Sequence, residues 1–266
     1  MARVAFLVDG FNLYHSLRDA SRKNGGKRTK WLDIHSMAKS QLHLLGKSAT
    51  IGSIDYYSAL AHHLTPSDPG VTLRHETYLE ALKTTGIQTH LGRFKERNGK
   101  SCKQCGTAIK GGWEEKETDV AIASGMVELA ATGKEDIIAV ISGDSDLCPA
   151  ITTARRLNSN QRFWFIFPFG RRSDHLKRLS DGHFRLSAAV YFANQFADPT
   201  VDPSGRSLSC PAVSGGGELA TMTRTNRTKM MKSAAIRLME ARPYCQLSGR
   251  NQPDQPIIKT CMNTKL

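Results

Sequence analysis

Two short apolar runs constrain this chain more than any other feature. Arg3 to Val8 and Ile137 to Ile141 are of strand length and rich in aliphatic residues. Each leads into an acid-bearing turn, Asp9-Gly10 after the first and Gly143-Asp144-Ser145-Asp146 after the second. A run that is apolar throughout, rather than alternating, suits a strand covered on both faces, and such strands belong to parallel sheets flanked by helices. Ile51 to Ala59, Ile87 to Phe94 and Phe163 to Phe167 read as further strands. Helical spacing separates them. Leu13, Leu17 and Ala20 recur about once per turn, and a second helix covers about Asp33 to Leu45. Leu73, Tyr78, Leu79 and Leu82 mark a third, with Gly86 just past its end. Val120, Ala123, Met126, Val127 and Ala130 give the apolar face of a fourth, from Thr118 to near Gly133. A fifth opens at the Gly143 to Asp146 turn and runs to about Leu157. The predicted class is α/β, a parallel sheet with helices on both faces.

Residues 95 to 112 break this rhythm with Lys, Arg, Gly and the pair Cys102/Cys105, and are expected to form a basic CxxC-containing insertion. Past Ala197 the dipeptides Asp198-Pro199 and Asp202-Pro203 and the run Gly215 to Gly217 read as linker. The expected division is an α/β domain over 1–197 and a basic, partly disordered extension over 198–266, with one helical patch from about Met222 to Arg242.

A length of 266 residues accommodates that arrangement, and 39% hydrophobic with 23% charged residues argues against wholesale disorder. The 37 Lys+Arg against 24 Asp+Glu leave a net charge of +13, which favours a polyanionic partner such as nucleic acid. No stretch approaches the roughly 18 apolar residues needed to cross a bilayer, and the first apolar run is too short for a secretion signal. Scattered cysteines suit reduced thiols, so a cytoplasmic location is expected.

In a parallel sheet, the loops at the carboxyl ends of the strands gather in one crevice, where ligands bind. Asp9, Asp144 and Asp146 follow strands, and Asp119 sits in the first turn of a helix. Four carboxylates converging there would repel one another unless a divalent cation neutralised them, and hard oxygen ligands suit Mg²⁺ or Mn²⁺. Taken singly, each acid has a plainer reading as a helix cap or turn residue. Ser142 and Ser145 read as turn or cap residues. Asn12 either bonds a carboxylate or starts its helix.

Three segments occur in order: Val8-Asp9-Gly10-Phe11-Asn12-Leu13-Tyr14, Glu115-Lys116-Glu117-Thr118-Asp119-Val120 and Ser142-Gly143-Asp144-Ser145-Asp146-Leu147. Together they resemble the NYN domain of the PIN-like ribonuclease superfamily, over roughly residues 3 to 190. The resemblance implies a PIN-like fold and Mg²⁺- or Mn²⁺-dependent hydrolysis of RNA. It makes Asp9, Asp119, Asp144 and Asp146 the metal-binding acids, with Asn12 as a supporting residue. Leu179-Ser180-Asp181 resembles a late family segment, in which Asp181 is expected to be structural. This type of domain has also been assigned to an NADH-dependent hydroxypyridine monooxygenase of nicotine breakdown, so a monooxygenase is the alternative enzyme. The chain carries no Gly-x-Gly-x-x-Gly after a strand to support NADH binding. A non-catalytic RNA-binding protein is the third reading.

Arg93, Lys95, Arg97, Lys100, Lys103 and Lys110, with Phe94 and Trp113, mix phosphate contacts with stacking surfaces suited to single-stranded RNA. The plain alternative is a solvated basic loop. Arg171 and Arg172 begin a second basic run. Cys102 and Cys105 have the spacing of half a zinc site, and a metal-free turn is the competing reading. Closing a Zn²⁺ site would need His62, His63, His90, a distant cysteine, or the same segment of a second subunit in a homodimer.

Overall fold

The structure is a computed structural model that describes residues 1–101, 108–109 and 111–211, and the side chains of 1–99 and 111–211. Cys102, Lys103, Cys105, Lys110, the side chain of Lys100 and the helical patch from Met222 to Arg242 therefore lie outside the described residues.

One central sheet organises the chain. Its strands are β1 (Arg3–Asp9), β2 (Thr50–Ala59), β3 (Gln88–Arg97), β4 (Gly112–Lys116), β5 (Ile137–Ile141), β6 (Arg162–Phe167) and β7 (Gly182–Arg185), in the spatial order β4-β3-β2-β1-β5-β6-β7. Every neighbouring pair is parallel except β3 with β4. The two apolar runs that dominate the sequence lie side by side at the centre, with Val4 opposite Ile137 and Val8 opposite Ile141. β5 is buried along its whole length, as an uninterrupted β-branched run requires.

Alternation along β1 feeds two cores. Val4, Phe6 and Val8 pack with Leu13 and Leu17 of α1 (Gly10–Lys23), Met37 of α2 (Ile34–Leu45), Leu79 and Leu82 of α3 (Val71–Thr84) and Tyr191 of α7 (Ala188–Ala193). Leu7 points the other way. It joins Ile122 and Met126 of α4 (Thr118–Thr132), Ile151 and Ala154 of α5 (Cys148–Leu157) and Leu176 of α6 (Asp174–Leu179). Each such fully buried aliphatic side chain contributes about 1.5–3 kcal/mol. The result is the expected α/β architecture of a mostly parallel sheet covered on both faces. Among the described residues, no helix is long and apolar enough to cross a membrane.

Three local expectations need correction. The buried stripe of α4 is Thr118, Ile122, Met126 and Ala130, a strict i, i+4 row, while Val120 is exposed. The helix is apolar on most sides, so composition alone points to too many faces. Secondly, β3 does not stop at Phe94 but continues to Arg97, and Gly112–Lys116 returns beside it as an antiparallel edge strand. Lastly, the Asp202-Pro203-Ser204-Gly205 stretch is a hairpin turn rather than a linker. It joins Thr200–Val201 to Ser207–Leu208, and Leu208 is buried in the first core.

Candidate active site

Strand order reverses between β1 and β5, because β2 and β3 extend the sheet from β1 while β6 and β7 extend it from β5. The crevice beyond the carboxyl ends of these two strands is where a parallel α/β sheet binds ligands. Asp9 ends β1 and is only 4% exposed. Its Oδ1 caps α1 by accepting the Asn12 amide at 2.9 Å, and its Oδ2 accepts the Ser142 hydroxyl at 2.7 Å. Ser142 is fully buried, and its Oγ also accepts the Asp144 amide at 3.0 Å. Asn12 Oδ1 accepts the Gly143 amide at 3.2 Å, and Asp144 Oδ1 accepts the Asp146 amide at 3.0 Å. The loops after β1 and β5 are thus joined by side chains that leave their acids fixed in direction.

Gly10 makes this approach feasible. A Cβ there would lie 2.5 Å from the Tyr57 carbonyl and 2.7 Å from the Tyr56 ring. Gly92 plays the same part further along the edge, where a Cβ would meet the Lys116 carbonyl at 2.5 Å and Thr118 Oγ1 at 2.9 Å. Glu117, just before Thr118, holds φ at +81°, the left-handed region that costs a residue other than glycine about 1–3 kcal/mol. That strained turn aims the start of α4, and with it Asp119, at the crevice.

Loss of solvent pushes the Asp119 carboxyl up to about 6, and Asp9, Asp144, Glu115 and Asp146 add to the shift in that order. Burial likewise raises Asp9; the Asn12 and Ser142 hydrogen bonds oppose that, and Asp144 and Glu115 reinforce it. Among the described residues, no group of three or more His, Cys, Asp or Glu side chains stands close enough to hold an ion directly. A hydrated Mg²⁺ or Mn²⁺ fits this donor set better than a dehydrated, fully protein-ligated ion, since Mg²⁺ keeps several waters and takes only one or two carboxylates.

A family model for the NYN domain matches residues 3–187, the span of the whole sheet. The chain belongs to the NYN domain family. At the level of the family, this is a nuclease-like domain with RNA as its substrate class. Among solved structures, a protein of unknown function from Vibrio parahaemolyticus is 18% identical, with a TM-score of 0.46, over 70% of this chain and 93% of that one. No curated protein matches the chain.

Sequence reasoning passed over two residues of this NYN domain's crevice. Ser142 was read as a turn residue, yet it supports both Asp9 and Asp144. Glu115 lies within a quoted segment, but only its place on β4 brings its charge to bear on Asp9 and Asp119. Asp181 is structural, accepting the Phe163 amide and the Arg155 guanidinium, each at 2.7 Å.

The basic candidates are largely engaged with acids. Arg93 pairs with Glu117 at 2.8 Å, Arg97 with Glu114 at 3.8 Å, and Lys95 lies opposite Glu114 in the β3–β4 register. Arg172 pairs with Asp174 at 2.8 Å. Arg171 pairs with Asp19 at 3.3 Å, and its Cβ lies against Gly143. Its Nε is buried with no hydrogen-bond partner among the described residues. Of the histidines considered for zinc, His90 bonds Asp55 at 2.8 Å and stacks on Tyr57. His62 and His63 line a separate recess.

Proposed function

We propose that this NYN domain hydrolyses phosphodiester bonds of single-stranded RNA with the help of Mg²⁺ or Mn²⁺. What supports the reading is the family together with the join of the two acid-bearing loops at the switch point, where Ser142 bonds both Asp9 Oδ2 and the Asp144 amide; Asp119, raised to about 6 chiefly by burial, also feels the charges of Asp9, Asp144, Glu115 and Asp146. Carboxylates in that state favour the arrival of a cation over remaining charged and alone. Asp9, Asp119, Asp144 and Asp146 would hold the hydrated ion between them, one or two directly and the others through its waters. When bound, such an ion supplies an activated water and stabilises negative charge on a phosphoryl oxygen.

The protein's own contribution is position. Ser142 and the Asn12 amide hold both oxygens of Asp9, which opposes the upward pull that burial exerts on this carboxyl. Asn12 fixes the Gly143 amide and keeps the β5 loop against α1. Arg171, beside Gly143, offers a cation to a phosphate of the substrate backbone.

The test compares two chemistries in one preparation. Purified protein is incubated with end-labelled single-stranded RNA in Mn²⁺ or in EDTA, and separately with NADH and a hydroxypyridine. The reading expects RNA cleavage in Mn²⁺ only and no pyridine-dependent NADH oxidation. NADH oxidation coupled to the pyridine, without RNA cleavage, overturns it in favour of a monooxygenase. Binding without cleavage overturns it in favour of an RNA-binding protein.

A further inference from the structure

A second feature of the same sheet edge is a recess walled by rings. His63, in the 3₁₀ turn His62–Leu64 that follows β2, stacks on Trp113 of β4 with centroids 5.1 Å apart and planes 20° apart. Its centroid is also 4.3 Å from that of Phe94 on β3. Leu60 and Leu91 complete much of the wall of a cavity of about 400 Å³. Trp113 is 48% exposed and Leu91 49% exposed, so a large apolar surface is left open to solvent.

We propose that this recess holds one unpaired nucleobase of the RNA strand whose phosphate lies in the acidic crevice. The inference rests on RNA being the substrate. Two observations favour a base over other parts of the strand. In the antiparallel β3–β4 pair, Phe94 stands opposite Glu115 and Trp113 opposite Glu96, so both rings share a face with carboxylates. Lys95, Arg97 and Lys116 fall on the other face, and Arg93, which also lines the recess, is paired with Glu117 at 2.8 Å. A phosphate is repelled by the ring face, whereas an uncharged aromatic ring is not. Stacking platforms of this kind take any base, because every base has a π-face.

The recess is also joined to the acids. Phe11, two residues past Asp9, meets Phe94 edge-on with centroids 5.6 Å apart. Gly92 brings β3 against Thr118, the residue before Asp119. Through Phe11 and Gly92 the recess is therefore linked to the elements that carry Asp9 and Asp119.

The experiment measures binding in EDTA, where no metal-dependent turnover occurs. A fluorescein-labelled adenosine RNA decamer is compared with an abasic ribose-phosphate decamer of equal length, on wild type, Trp113→Phe and Trp113→Ala. The expected result is that Trp113→Ala weakens the adenosine decamer by about 5- to 100-fold, the span reported for loss of one stacking ring. Trp113→Phe, which keeps a ring and a packed edge strand, should largely preserve affinity. All three proteins should bind the abasic decamer alike. Equal binding of the adenosine decamer by wild type and Trp113→Ala, or equal weakening of both decamers, overturns the proposal. Cleavage by the wild type in Mn²⁺, run in parallel, separates the two readings: cleavage without a ring effect removes the recess alone, and ring-dependent binding without cleavage removes the nuclease alone.

Discussion

Ser142 donates its buried hydroxyl to Oδ2 of Asp9 at 2.7 Å, tying the end of β5 to the end of β1. Ser142→Ala removes that donor and leaves a nearly buried carboxylate with one oxygen unpartnered. A hydrogen bond to a charged group contributes about 1.5–3 kcal/mol, so a loss of that order is expected in urea unfolding at pH 7.5. The loss should shrink at low pH, where Asp9 is neutral. A stability equal to wild type at pH 7.5 would mean that the bond does not hold the two loops together.

The Asp119 carboxyl sits at about 6 against an ordinary value of 3.8. The folded form therefore binds this proton more tightly than the unfolded chain, and the cost of ionising Asp119 grows as pH rises from 3.8 through 6. Asp119→Asn should melt at a higher temperature than wild type above pH 6, with the gap closing below pH 4. Adding Mn²⁺ at pH 7.5 should raise the melting temperature of wild type more than that of the variant. A pH-independent gap would contradict the burial of Asp119 and the charges of the acids that add to it.

Gly10→Ala would place a Cβ 2.5 Å from the Tyr57 carbonyl, and that backbone belongs to β2 and has little room to retreat. Overpacking of this kind costs about 1–3 kcal/mol. Because Gly10 adjoins Asp9, RNA cleavage should fall together with the melting temperature. A variant as stable and as active as wild type would show that β1 and β2 can separate at this point without moving the site.

How much of this was legible beforehand depended on where each residue gets its environment. Val4 to Val8 and Ile137 to Ile141 declare themselves, because a strand buried on both faces must be apolar throughout. Asp9, Asp119 and Asp144 were legible from their places after strands and at a helix start. The Gly112–Lys116 strand was not, since an edge strand of sequence Gly-Trp-Glu-Glu-Lys needs no apolar pattern. With it went Glu115, and the fact that Phe94 and Trp113 share a face turned away from Lys95 and Arg97. Ser142 looked like a turn serine because its burial comes from the β1–β5 register, which no local pattern records.

Glu114 bonds or faces two of the basic candidates, pairing with Arg97 and standing opposite Lys95, and it also pairs with Lys116. Glu114→Gln should free them for phosphate, tightening single-stranded RNA binding and steepening its salt dependence. Lys95→Ala should do the reverse, lowering the slope of log K against log salt by about 0.7 if it makes one phosphate contact. Titrations at several salt concentrations read both. Slopes unchanged in both variants would mean that RNA does not track this face of the β3–β4 pair.

Single-turnover cleavage of labelled single-stranded RNA by Asp144→Asn in Mn²⁺ asks whether the acids at the switch point do the chemistry. Asparagine keeps an oxygen for the Asp146 amide, so the loop after β5 keeps its shape. The account predicts that the variant binds RNA at least as tightly as wild type, while the cleavage rate falls by about two orders of magnitude or more. Cleavage by the variant at the wild-type rate would contradict it.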